Sequence, residues 1–432
     1  MSELLDIVKA GFSDSSDPSA FSDPDWVAAK EDVAEHFKSF KLRPASYERV
    51  VDDMRSRDTL ESNSGWPLFT RRNKPEVVQA SIADARSGAW KGYPAIALFR
   101  NYNQKTRLVW MYPMSVNIVE GSYLQPLQNA IIHRAQGNED SFWRRSFSPW
   151  IGFDQVRDVL TDAYSDQSHY IAASDFTATD EHFTIKHSLE VYDVIHHAYQ
   201  RAAREGLRES LINMHQVPLI ISKTEMITGE HGVSSGSNWT NFVETIFDIV
   251  FNRYVARKLN HGLQYSPVIG DDMSWISDAS YDEQFAEKLE EVGKQVGHII
   301  NAEKTTNEPD YVKFLQRCFQ RGYNRPDGKL RAVYSTIRAL KSLVYPEKYH
   351  SPKVWNSNMF CARTYMILEN CVDHPLFPEF VKFVVNGQKD LISFAKQTSG
   401  VIDKVHRESK LLPGLNPTYN QEKRDSALSK FA

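Results

Sequence analysis

The chain has 432 residues, 41% hydrophobic and 25% charged, with a formal net charge of -4. That length supports two or three substructures around a sizeable core. The mild acidity excludes a histone-like wrapping protein, so any nucleic-acid contact must use local positive patches. The three cysteines, Cys318, Cys361 and Cys371, form no CxxC pair and no zinc spacing, and read as reduced thiols packed as small apolar residues.

The N-terminus has no basic run followed by an apolar core, so no secretory signal is expected. No apolar run is long enough to suggest a membrane span. GxxxxGK[ST] and GxGxxG are both missing, which argues against a P-loop motor or a Rossmann cofactor site. Residues 11–25, rich in Ser, Asp and Pro, suggest a surface loop or extended arm. From about residue 28 to 165, short mixed segments alternate with turn signals. This region carries two basic clusters, Arg71-Arg72-Asn73-Lys74 and Arg100, Lys105, Arg107, which are candidates for a channel wall that follows phosphates. A strand is predicted over 170–175, then a helix with Leu189, Tyr192, Ile195 and Tyr199 on one face. Residues 200–232 read as a helix-plus-loop insertion. Trp239, Phe242, Val243, Ile246, Phe247, Val250 and Tyr254 then recur at helical spacing and predict an amphipathic helix. A hairpin, a helix over about 281–298 and a strand pair near 310–323 follow. The last hundred residues are mostly helical. Val333, Ile337, Leu340 and Val344 mark one expected buried face, and Met359, Ala362, Met366 and Ile367 another. A polar, slightly basic tail, expected to be mobile, closes the chain.

The chemistry concentrates at Gly270-Asp271-Asp272, the tip of the predicted hairpin. Taken alone, the tripeptide reads as a turn, because Gly supplies positive φ and Asp bonds its own backbone. Asp175, at a strand end five residues before Asp180, would by itself read as a helix cap. If Asp175 stood beside Asp271, their carboxylates would repel or hold protons, and a divalent cation would resolve the conflict. Two such ions can activate a 3′-hydroxyl and stabilise a leaving pyrophosphate.

In collinear order, the chain resembles the viral RNA-dependent RNA polymerases. Asp175 to Asp180 resembles their motif A, Ser235-Gly236-Ser237-Asn238-Trp239-Thr240 motif B, and Gly270-Asp271-Asp272 motif C. Lys304 resembles the motif D lysine, Phe314-Leu315-Gln316-Arg317 motif E, Lys105-Thr106-Arg107 the basic motif F, and Ser64-Gly65-Trp66-Pro67 motif G. Arg107 to Pro113, Glu120-Gly121, Pro126-Leu127 and Gly232 to Asn241 are similar to the partitivirus and picobirnavirus enzymes of bisegmented double-stranded RNA viruses. Glu244 stands where positive-strand enzymes often carry Asn, and Asn241 could supply that amide.

The resemblance implies an α+β right-hand polymerase: fingers, a palm with an antiparallel sheet, and a thumb round a template channel. The implied division is N-terminal arm and fingers over 1–165, palm over 166–199, a fingers insertion over 200–232, palm over 233–325, and helical thumb and tail over 326–432. It implies two Mg²⁺ ions, with Mn²⁺ able to substitute, held by Asp175, Asp271, Asp272 and the Phe176 backbone carbonyl. Lys304 would be the general acid. Nucleotide binding would fall to Lys105, Arg107, Asp180, Ser235, Thr240 and Asn241. Template or primer RNA would meet Ser64, Gly65, Pro67, Gly236, Phe314 and Leu315. Expected partners are template and nascent RNA, rNTPs and a viral capsid protein, with no membrane. The expected setting is the virion interior and host cytoplasm. A reverse transcriptase, or a catalytically silent polymerase-like RNA-binding or assembly protein, are the alternatives. Asp180 near the sugar and the Ser-Gly-x3-Thr element disfavour the first, and the intact aspartates disfavour the second.

Overall fold

The computed structural model describes residues 2–12, 18–56, 59–102, 105–137, 141–174, 176–177, 179–345, 352–353 and 355–410. The closing tail beyond residue 410 lies outside them. The chain folds into two units, residues 1–151 with 172–307, and residues 152–171 with 308–432. In chain order the described strands are β1 (Ala95–Tyr102), β2 (Lys105–Met111), β3 (Tyr170–Ser174), β4 (Leu219–Ile220), β5 (Met226–Ile227) and β6 (Val268–Ile269). They continue with β7 (Asp272–Ser277), β8 (Thr306–Glu308), β9 (Tyr311–Phe314), β10 (Arg317–Gln320) and β11 (Val333–Tyr334).

Two sheets organise the first unit. One runs in the order β2-β1-β4-β5, with β1 antiparallel to β2 and parallel to β4. The other runs in the order β6-β7-β3-β8. Its β6–β7 hairpin pairs Ile269 with Asp272, which leaves Gly270 and Asp271 as a two-residue loop. Gly270 has φ 57 at the first loop position, where tight hairpins favour glycine.

Behind this sheet runs the Thr240–Lys258 helix. The predicted apolar face is present, and burial extends well past it: every residue from Phe242 to Asn252 is buried. The Pro24–Phe37 helix explains why. It starts with Pro at its first turn and an Asp23 side chain accepting the Asp25 N–H at 2.9 Å. Trp26 packs on Phe247 and Tyr254 with ring centroids 5.1 and 5.5 Å apart. Burying an aromatic of that size contributes about 2–3 kcal/mol. Lys258–Asp23 at 2.7 Å and Arg257–Asp32 at 2.6 Å close the other end of the contact.

Within residues 28–165, where short mixed segments were expected, the structure has a 22-residue helix, Met114–Ala135. Gly121 and Pro126 inside it read as breakers. For the glycine, tertiary packing explains its place: a Cβ on Gly121 would come within 2.7 Å of Val50 Cγ1, so it allows close helix–helix approach.

In the second unit, β9, β10 and β11 form a sheet in which Arg317 is buried. Its guanidinium lies 4.5 Å from the Phe153 ring centre and donates to the Asn370 carbonyl at 2.8 Å and to its Oδ1 at 2.9 Å. One expected face is wrong here. Ile337 is 80% and Val344 59% exposed, and the Thr336–Val344 helix buries only Ala339. Periodicity located an apolar stripe, but the small Ala339 permits closer packing on the opposite side. The second expected face holds: Met359, Ala362, Met366 and Ile367 are buried in the Ser357–Glu369 helix. Cys361 and Cys371 are buried free thiols.

Candidate active site

The β6–β7 loop presents Asp271 and Asp272 on an exposed turn whose backbone is fixed from behind. Gly270 donates its N–H to Thr245 Oγ1 of the long helix at 2.8 Å. A Cβ at Gly270 would fall 2.7 Å from Asn241 Nδ2 and 3.4 Å from Glu244 Oε2, so the turn needs glycine twice over. Thus Asn241 and Glu244, on the first turns of the helix, border the aspartates.

Asp180 joins them from the short Thr179–His182 helix. Gly232 passes so close that a Cβ there would overlap the Asp180 carbonyl oxygen. Although Asp180 is exposed, its carboxyl is pushed up to about 6 by loss of surrounding water, then by the charge of Asp271; Arg107 and a hydrogen bond with Glu244 oppose this. Glu244 is buried and raised well above the ordinary carboxyl range, by burial first and then by Asp180, Asp271 and Asp248. It holds the shared proton and donates it to Asp180, while its Oε1 has no hydrogen-bond partner among the described residues. One turn further along, Asp248 is also raised by burial and by Asp271. His298 Nε2 lies 3.3 Å from Asp248 Oδ1, but off the angle of a hydrogen bond. Burial depresses His298 to about 3, so this contact joins two neutral groups.

The acids therefore outnumber the cations among them, and an orphaned carboxyl oxygen points to a missing positive charge. Hard oxygen donors of this kind suit a divalent cation. Among the described residues, no three acid, His or Cys side chains already surround one ion position. Asp175 lies outside the described residues. The strand leading to it, β3, ends at Ser174 and is β7's neighbour. Phe176 bridges Ile300, with Thr177 N–H bonded to the Ile299 carbonyl at 2.9 Å.

The β1–β2 hairpin sets Arg100 directly opposite Arg107. Like charges so placed are destabilising, and a phosphate would relieve them. Lys105 starts β2; its side chain lies outside the description. Arg72, expected on a channel wall, turns inward and donates to the carbonyls of Asn63 at 3.0 Å and Tyr112 at 3.3 Å and to Asn117 Oδ1 at 2.9 Å. Nearby opens a cavity of about 650 Å³, lined by Arg72, Arg100, Trp110, Asn117, Gln125 and Asn238.

Ser64 and Gly65 are buried in a loop anchored by Met114 N–H to the Ser64 carbonyl at 2.8 Å, and Pro67 is exposed. Gly65 has φ 67, and a Cβ there would lie 2.6 Å from the Tyr112 carbonyl oxygen. Ser235 is exposed and accepts the Trp110 N–H at 3.3 Å; Gly236 is pressed against the Trp110 carbonyl. Thr240, expected to reach a ribose, donates its hydroxyl proton to the Ser234 carbonyl at 2.6 Å, which leaves its oxygen able to accept. Lys304 is exposed on a turn closed by its N–H to the Asn301 carbonyl at 3.1 Å. In the second unit, Phe314 is buried and Leu315 sits at the β9–β10 tip with φ 50.

Sequence reasoning noted Glu244 only as a departure from a pattern, and it missed Asp248 and His298. The available signal was a second carboxylate one turn after Glu244, inside an otherwise apolar helix.

A family model described as viral RNA-dependent RNA polymerase matches residues 102–370. A potential RNA-dependent RNA polymerase of human picobirnavirus is 28% identical over 385 residues, covering 83% of this chain and 68% of that protein. An RNA-directed RNA polymerase of Cryptosporidium parvum virus 1 is 24% identical over 307 residues, covering 64% of this chain and 55% of that protein. The crystal structure of a human picobirnavirus RNA-dependent RNA polymerase superposes with a TM-score of 0.79 at 23% identity, over 100% of this chain and 82% of that one. Its insertion-loop deletion mutant gives 0.78 at 24%, over 95% and 80%. The fold is therefore the right-hand polymerase fold, and with more than half its length matched, the chain belongs to the viral RNA-dependent RNA polymerase family.

Proposed function

We propose that this chain copies RNA into RNA for a virus with a double-stranded RNA genome, adding rNTPs to an RNA 3′-hydroxyl at the Asp271–Asp180–Glu244 site. The observation that carries this reading is the excess of acid at the β6–β7 turn beside a ridge of paired arginines.

Asp175, Asp271, Asp272 and the Phe176 carbonyl would hold two Mg²⁺ ions, or Mn²⁺ in their place. Bound there, the ions would make the attacking hydroxyl more acidic and offset charge on the leaving pyrophosphate. Lys105 and Arg107 draw the triphosphate in, Arg107 with a fork of donors that matches phosphate oxygens. Asp180 accepts the ribose 2′-hydroxyl, and the Glu244 proton fixes which carboxyl oxygen is free to do so. Ser235 and Asn241 complete the sugar site, with Thr240 bracing Ser235's loop. Lys304 donates a proton to the pyrophosphate as it leaves. Ser64, Gly65, Pro67 and Gly236 border the template, and Phe314 and Leu315 the nascent strand. By this reading the enzyme works inside the virion and in the host cytoplasm, with capsid protein as its assembly partner. No described helix is long and apolar enough to cross a membrane.

Primer extension on an RNA template, with rNTP and dNTP pools compared, tests the proposal. Extension with rNTPs that Asp271→Asn abolishes is the expected result. Extension only with dNTPs, or none in the wild type with either Mg²⁺ or Mn²⁺, would overturn it.

A further inference from the structure

Each residue of the 234–238 loop is tied to one stretch of chain, 110–120. Tyr112 OH bonds Ser234 Oγ, and Trp110 N–H donates to Ser235 Oγ at 3.3 Å. Asn117 Nδ2 donates to the Gly236 carbonyl at 3.1 Å. Ser237 Oγ donates to Glu120 Oε1 at 2.6 Å, and the Asn238 N–H to Glu120 Oε2 at 2.8 Å. Asn238 Nδ2 also donates to the Asn117 carbonyl at 3.0 Å. Glu120 is 1% exposed and takes a third hydrogen bond, from Asn117 Nδ2 at 3.2 Å. It is the one charged acceptor in this set, and it binds the two residues that directly follow Gly236.

We propose that Glu120 is a positioning residue for nucleotide addition: its ionised carboxylate holds the 234–238 loop so that Ser235 and Gly236 stand correctly at the sugar and template. This rests on the polymerase reading above. The geometry explains why an acid is needed. Gly236 has no side chain to anchor and no room for one, so the loop is held by its neighbours. A carboxylate accepts from two donors at once without donating, whereas a hydroxyl or amide at the same place must also find an acceptor. Burying it is costly unless such bonds are made.

The same balance makes the anchor sensitive to pH. Burial pushes Glu120 up to about 7, against the bonds from Ser237, Asn238 and Asn117 and the charge of Arg72. Arg72 is the charged group facing it; the Tyr112 phenol, also raised by burial, stays neutral. A proton added below pH 7 would need an acceptor where three donors already converge, so the loop would lose a bond.

Backbone hydrogen exchange over 232–240, with primer extension from pH 6 to 8, tests this in wild type, Glu120→Ala and Glu120→Gln. In Glu120→Ala, exchange at 234–238 should rise about ten-fold or more, the loss of a satisfied buried bond. The Thr240–Lys258 helix should stay protected, and extension at saturating rNTP should fall about as much. The glutamine keeps an oxygen for the Asn238 N–H but turns an NH2 to Ser237 Oγ, whose own proton then loses its acceptor, so it should restore only part of both. It should also lack the wild type's decline in rate below pH 7. Unchanged loop exchange in Glu120→Ala, or altered exchange with wild-type extension, would overturn the proposal. If Glu120→Ala loses protection throughout, the glutamine decides: a pH profile parallel to wild type also overturns it. A wild type that fails to extend RNA refutes the polymerase reading instead, while exchange still reports whether Glu120 anchors the loop.

Discussion

Asp373, in the second unit, and Glu244 with Asp248, in the first, are all buried acids, but their surroundings differ in kind. Asp373 meets Arg325 at 2.8 Å, Arg157 at 3.2 Å and Arg331 at 3.8 Å, and accepts the Ala332 N–H at 3.0 Å. Burial alone would raise it, but these partners outweigh burial and hold it below the usual carboxylate value. Glu244 and Asp248 face further acids, Asp180 and Asp271, and their values move the other way. In the first arrangement the charge of the acid is fully matched by arginines as built, and it serves stability. The second carries a surplus that only a bound cation, or a proton, removes, which is the pattern of a site that trades stability for chemistry.

Substitutions should separate the two. Asp271→Asn should cut nucleotide incorporation by about 10³-fold or more, since several kcal/mol of charge stabilisation is lost. Its thermal midpoint without added metal should hold or rise, because a repulsive charge is gone. Single-nucleotide extension and thermal unfolding check both; a fall in midpoint would break the contrast.

Asp373→Ala should do the reverse, costing about 1–3 kcal/mol, because the Ala332 N–H loses its acceptor and Arg157, itself 1% exposed, loses one of its carboxylates while keeping Asp154 at 2.7 Å. Urea denaturation followed in the second unit reads this directly. A loss under 1 kcal/mol would mean that the arginines find other partners.

Asp180→Ala should lower the preference for rNTPs over dNTPs by about ten-fold or more, because a site that bonds a hydroxyl discriminates strongly against its absence. Competition between matched rNTP and dNTP measures it, and full discrimination in the variant would remove Asp180 from the sugar site.

The smallest effect is a difference in pH slope. Asp180 is raised from 3.8 to about 6, so the folded state binds more protons than the unfolded one between those values. Its contribution is therefore greatest below pH 3.8 and is lost as pH rises towards 6. Asp373 is lowered, so its contribution is present above 3.8 and lost as pH falls through its folded value. Without divalent cation, Asp180→Asn should gain stability relative to wild type between pH 4 and 6, whereas the deficit of Asp373→Asn should shrink below pH 4. Denaturant titrations across that range give both slopes, and parallel slopes would show that the acids share one environment type.

Much of the site was legible because it depends on local chemistry. Gly270 could be read as the turn residue of a hairpin, and it has positive φ there. The Arg100 and Arg107 cluster could be read as basic, but their facing register came only from the β1–β2 pairing. Arg72 looked equivalent to Arg71 in sequence; in the structure Arg71 pairs with exposed Glu61 at 3.1 Å while Arg72 is drawn into the loop network. Nothing in a run of basic residues says which one turns inward. The same limit applied to the Thr336–Val344 helix, where spacing identified a stripe and packing chose Ala339.

By itself, the sequence determined the order of the motifs, the hairpin with its paired aspartates, and the helix behind it, because turn geometry and apolar periodicity are set within a few residues. Tertiary structure decided which carboxylates meet. Asp271 perturbs Glu244, Asp248 and Asp180 only because β6 docks on the Thr240–Lys258 helix and Gly232 lets the chain pass over Asp180. Glu120 reaches a loop 117 residues away for the same reason. Electrostatic coupling depends on distance in space and on excluded water, and neither is written in the spacing of residues along the chain.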